Sequence, residues 1–69
     1  MLMSIAEARK SIKEALNKFG AKRLNHWFTT DGSVHQMFQL PSGTQLKLTT
    51  KACFDGESVE VNWQWILTA

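Results

Sequence analysis

The chain has 69 residues, of which 43% are hydrophobic and 20% charged, with a formal net charge of +2. That length holds one small domain, residues 1–69, and leaves no room for a second; the composition argues against disorder. The mild charge falls short of the dense basic stripe of a dedicated nucleic-acid binder. One cysteine, Cys53, excludes an intramolecular disulfide and a cysteine-rich metal site.

Met1-Leu2-Met3 is apolar, but a charged segment follows at once, so neither a signal peptide nor a membrane span is expected. Met3 could equally serve as a start. Ser4-Ile5-Ala6-Glu7 has the form of a capping box. The Ser4 hydroxyl would accept from the Glu7 backbone N–H, and the Glu7 carboxylate would reach back to the N–H of Ser4. Ile5, Ala8, Ile12, Ala15, Leu16 and Phe19 then recur at helical spacing and form one apolar stripe. Gly20 stands where a left-handed C-cap is usual. A helix from about Ser4 to Phe19 follows.

Three turn signals divide the remainder: Asp31-Gly32, Pro41-Ser42-Gly43 and Asp55-Gly56. Asp-Gly between strand-like runs favours a two-residue type I′ hairpin, whose central residues both need positive φ. Strands are expected near residues 22–29, 34–40, 44–53 and 58–67, joined as an antiparallel meander.

The last strand carries the clearest pattern. Val59, Val61, Trp63, Trp65 and Leu67 alternate with Glu60, Asn62, Gln64 and Ile66, so one face is apolar. A two-residue loop at Asp55-Gly56 sets Ala52, Thr50, Leu48 and Leu46 opposite Val59, Val61, Trp63 and Trp65. A three-residue loop ending at Gly43 sets Phe38 opposite Leu46 and Leu40 opposite Thr44. A two-residue loop at Asp31-Gly32 puts Trp27 on the same core face, but Arg23 and Asn25 accompany it. A bulge near His26-Trp27-Phe28 would relieve that conflict by turning Leu24 inward. The expected fold is α+β: one N-terminal helix packed on a four-stranded antiparallel meander sheet, α-β-β-β-β. Trp63 and Trp65 are expected in the core.

In that register His26, Phe28, His35 and Met37 share the sheet face the helix does not cover, with Leu24 and Ile66 as neighbours. An apolar cluster with nothing left in the chain to cover it points to a protein contact, and these four residues are the expected partner-binding site. The two imidazoles lie diagonally there. As acid and base they could cleave RNA, with Lys47 or Lys51 holding the phosphate. Polar residues on an open strand more often merely face water.

Other chemistry finds little support. His26, His35, Cys53 and Asp55 lack close metal-ligand spacing, so no metal is expected. Cys53 has no defined basic partner. No phosphate loop, carboxylate pair or nucleophilic triad can be assembled, and no cofactor is expected. Arg9, Lys10, Lys13 and Lys18 line the helix and Lys22 with Arg23 follow it. Glu7 and Glu14 interrupt them, as on an ordinary solvated face. With Lys47 and Lys51 these form the alternative, nucleic-acid-binding set.

The run Gly32-Ser33-Val34-His35-Gln36-Met37-Phe38-Gln39-Leu40-Pro41-Ser42-Gly43 follows the expected helix and first strand. It resembles the Gly-Ser-His-…-aromatic-…-Pro-…-Gly run of HicA-type toxins, small RNases with a double-stranded-RNA-binding-like fold. The likeness spans about a third of the chain and needs a one-residue offset between histidine and proline. It carries over His35 alone. That family closes with a helix, whereas this chain presents a Trp-rich strand. The resemblance implies an RNase as one alternative; a structural homodimer is another.

The expectation is a small non-catalytic binding protein of a reducing cytoplasm. Phages and mobile elements encode accessory proteins of this size, which dock on a host macromolecule and inhibit or modulate it. A protein partner is expected, with nucleic acid or a second copy as alternatives and no membrane.

Overall fold

The computed structural model describes residues 1–66. In chain order the elements are β1 (Leu2–Ser4), α1 (Ile5–Phe19), β2 (Lys22–Phe28), β3 (Ser33–Gln39), β4 (Gln45–Ala52) and β5 (Ser58–Ile66). All neighbouring strands are antiparallel, in the spatial order β1-β5-β4-β3-β2. The α+β class and the meander of β2 to β5 are as the sequence leads one to expect. Leu67, placed in the last strand by its pattern, lies outside the described residues.

The sheet has five strands where the sequence pattern yields four. Leu2, Met3 and Ser4 pair with Glu60, Val59 and Ser58. The terminal ammonium of Met1 donates to the Val61 carbonyl at 2.8 Å, and the Val61 N–H donates to the Met1 carbonyl at 2.8 Å. So short a strand has no periodicity of its own. Its partner is the far end of the chain, which no local turn signal can announce.

Helix α1 begins and ends where its caps place it. The Ser4 hydroxyl accepts from the Glu7 N–H at 3.2 Å, and Gly20 closes the helix at φ 63°, ψ 34°. The reciprocal half of the capping box differs from expectation: the Ser4 hydroxyl donates to the Glu7 carboxylate at 2.9 Å. Ser4 itself is held in β1 opposite Ser58.

The middle and last hairpins keep the expected register. Leu46 faces Trp65, Leu48 faces Trp63, Thr50 faces Val61, Ala52 faces Val59, and Phe38 faces Leu46. Gly43, at φ 89°, donates to Leu40 and completes the three-residue loop. The Asp-Gly turns are built differently from the expected type I′. Among the described residues none other than glycine has positive φ, so Asp31 and Asp55 are not left-handed. Each aspartate carboxylate caps its own turn instead. Asp55 accepts from the N–H groups of Glu57 and Ser58 and from the Ser58 hydroxyl, all at 2.9 Å. Asp31 accepts from the Ser33 N–H at 3.0 Å, the Ser33 hydroxyl at 3.1 Å and the Thr29 hydroxyl. Such side-chain-to-backbone bonds offer a turn that needs left-handed geometry only at the glycine.

Parity decides what each turn does to its hairpin. At Asp55 the ladder closes at Cys53 and Ser58, enclosing residues 54–57, two more than expected, and the faces are unchanged. At Asp31 the Thr29 N–H donates to the Ser33 carbonyl, enclosing residues 30–32, one more than expected. A one-residue slip exchanges the two faces of a strand. Phe28 therefore faces Val34, Trp27 faces His35 and His26 faces Gln36. A bulge is present, but between Arg23 and Asn25 rather than at the aromatic run.

The core sits between α1 and the middle of the sheet. Leu48 is fully buried, with Ala8, Phe38 and Val61 against it and Met3, Ile12, Leu16, Ala21 and Val59 packed around. Trp63 and Trp65 lie on this side but remain 36% and 51% exposed, contrary to their expected place in the core. Width explains this. Five strands about 4.8 Å apart span roughly 19 Å, whereas a helix with its side chains covers about 10–12 Å. Phe19 packs edge-on to Trp65, with ring centroids 5.7 Å apart, at one margin of the covered strip. At the other margin lies β2.

Candidate functional site

Among the described residues no strand pairs with the outer edge of β2. Cross-strand partners in a sheet share a face, so the chain of pairs fixes where each side chain of β2 points. Phe28 runs through Val34 and Thr50 to Val61, which touches the helix-side core; His26 runs through Gln36 to Leu48. Both therefore stand on the helix side, beyond the helix. Their rings meet edge-on at 6.4 Å. Phe28 is 74% exposed, and Leu24, the residue displaced by the bulge, is 51% exposed.

The opposite face is built from the odd residues of β3. Trp27 pairs with His35, then Thr49 and Asn62; Asn25 pairs with Met37, then Lys47 and Gln64. The Trp27 and His35 rings are stacked, 5.3 Å apart and 10° from parallel. The Lys47 ammonium sits 5.6 Å from the indole centroid, within cation–π range. The imidazole of His35 lies between two hydroxyls, with Nδ1 3.1 Å from Thr49 and Nε2 3.4 Å from Thr29.

The four residues expected to form one partner-binding patch are thus divided. His26 and Phe28 lie on one side of the sheet, His35 and Met37 on the other. The three-residue loop at Thr30-Asp31-Gly32 is the cause. The same division separates the two imidazoles, so they cannot act as acid and base on one phosphate. The nucleic-acid set is divided as well. Arg9, Lys10, Lys13 and Lys18 are exposed along α1, Arg23 pairs with Phe38 on the helix side, and Lys22, Lys47 and Lys51 lie on the opposite face.

Comparison with protein-family models, with curated proteins and with solved structures finds no match to this chain. No family is shown.

Two concavities flank the covered strip. The larger, about 390 Å³, is lined by Gly20, Lys22, Leu24, Gln39, Leu40 and Pro41. It adjoins the bulge of β2, and it offers one cation and one amide among apolar walls. The smaller lies between Ala15, Phe19, Leu46, Trp63 and Trp65. Among the described residues no three His, Cys, Asp or Glu side chains gather as metal ligands would.

Electrostatics at the end of β2 are set by Asp31. Hydrogen bonds from the Thr29 hydroxyl, the Ser33 N–H and the Ser33 hydroxyl lower its pKa to about 2. Asp55 is lowered for the same reason by Glu57 and Ser58. Accepting several hydrogen bonds favours the charged carboxylate. Asp31 is therefore an anion throughout the physiological range, three residues beyond the last residue of β2.

Sequence reasoning misplaced Trp27, which a two-residue loop at Asp31-Gly32 would put on the core face. Only the parity of the loop would have corrected it. The Thr29-x-Asp31-x-Ser33 pattern, two hydroxyls flanking an aspartate, is the signal that a side-chain-capped turn was available.

Proposed function

We propose that the protein is a small binding module that contacts another protein through the outer edge of β2. Its partner-facing side chains are Phe28, Leu24 and His26. The observation that carries this is Phe28, a phenylalanine left three-quarters exposed on a strand that has, among the described residues, no neighbour on one side. Unpaired strand edges offer backbone donors and acceptors to a partner; here the His26 N–H already donates to the Asn25 carboxamide at 2.8 Å, a bond an added strand would replace. An added strand would satisfy those groups while pockets for alternate side chains supply selectivity.

Capture from a cell lysate tests this. Tagged wild-type protein is expected to retain a partner whether or not nuclease is added, and Phe28→Ser to lose it while keeping its circular dichroism spectrum. Retention by Phe28→Ser at wild-type level would remove the edge from consideration.

A second use of the fold is favoured by one feature of the opposite face. Lys22, Lys47 and Lys51 share that face with the stacked Trp27–His35 pair, an arrangement suited to single-stranded nucleic acid. Against it, Glu60 stands opposite Lys51, and the indole is already engaged by His35 and Lys47. Salt-dependent retention on single-stranded oligonucleotides that is lost in Lys47→Glu would support nucleic-acid binding; equal retention by the variant would dismiss this face.

A further inference from the structure

Resting on the same edge, we infer that the partner seated on β2 is a second copy of this chain, its β2 running antiparallel about a two-fold axis at His26. Charge complementarity selects this direction. Lys22 and Arg23 open the strand, and Asp31 stands just past its other end. A parallel pairing would set the two cations against their own copies. An antiparallel one brings each cationic end to the partner's Thr29-Thr30-Asp31 end, twice per dimer.

Apolar matching selects the register. With His26 opposite its own copy, Leu24 falls opposite Phe28 of the partner and Phe28 opposite its Leu24. Both large exposed side chains of the edge are then covered in one step. Shifting the axis by one residue to either side sets Leu24 or Phe28 against a polar neighbour instead. The bulge at Leu24 ends the regular ladder there, so Leu24 contributes through its side chain and not through its backbone. The small buried core gives a further reason, since few apolar residues are enclosed within one copy.

Sedimentation velocity on the full chain reads the outcome. The wild type is expected to sediment as a two-copy species. Arg23→Asp and Asp31→Arg should each weaken association about tenfold or more. An equimolar mixture of the two should recover it, because only the mixed pair restores opposite charges at both ends. Asp31 also caps its turn, so a cross-link serves as a second reading that does not depend on that variant. A His26→Cys protein carrying Cys53→Ser should form an intermolecular disulfide under mild oxidation, since directly opposed strand residues lie at bridging distance. A monomeric wild type without cross-link overturns the pairing, and so does a dimer indifferent to Arg23→Asp. A monomer whose lysate partner is lost on Phe28→Ser would sink the self-pairing alone and leave the binding-module function standing.

Discussion

At the scale of single residues, two aspartates and one leucine carry much of the specification. Asp31 and Asp55 each replace left-handed backbone with carboxylate hydrogen bonds, and the first of these sets the faces of β2. The pH consequence has a definite sign. A carboxylate whose folded pKa lies below its ordinary value stabilises the fold fully above the ordinary carboxylate range. That contribution is lost as pH falls through the folded pKa. For Asp31 the window runs from 3.8 down to about 2. Asp31→Asn should therefore be less stable than wild type at neutral pH, with the difference closing across that window in urea titrations. A difference that persists unchanged below pH 2 would contradict the role given to the carboxylate. Leu48 is the other extreme, a side chain with no exposure at the centre of the core. Leu48→Ala should cost about 2–5 kcal/mol by the usual cavity rule, read as a lowered urea midpoint.

Among the elements, legibility followed the range of the signal. Helix α1 was readable from Ser4, its apolar stripe and Gly20, because caps and periodicity are local. The β3–β4–β5 register was readable because turn length and hydrophobic alternation agree there. β2 was legible as an element but not in its faces, since Phe28 and Trp27 are adjacent aromatics and either could point inward. One extra loop residue decided between them. The candidate site suffered directly: Phe28 and His26 were grouped with Met37 and His35, which the ladder places on the other face. β1 was not legible, because three residues pairing across the whole chain leave no local trace. Its contribution can be measured. Deleting Met1-Leu2-Met3 removes its ladder to β5 and the packing of Met3 on the core. The truncated protein should melt several degrees lower, by the scaling for about 1–2 kcal/mol in a domain of this size. An unchanged melting temperature would mean that β1 adds nothing.

As a whole molecule, the protein is a sheet wider than its single helix. The covered strip supplies the core, and two margins remain: Trp63, Trp65 and Phe19 on one side, β2 on the other. The β2 margin differs from the first in having, among the described residues, no neighbour along its length, whereas β5 is partly shielded by β1. Exposed aromatics on such an edge are costly in solution unless something covers them, which is why function is assigned there.

The most direct test sets the two faces against each other in one capture experiment, using Phe28→Ser for the helix side and Met37→Ser for the opposite side. Loss of the captured protein with Phe28→Ser, and its retention with Met37→Ser, is the predicted pattern. The reverse pattern, with Met37→Ser losing the partner and Phe28→Ser keeping it, would contradict the assignment of function to the outer edge of β2.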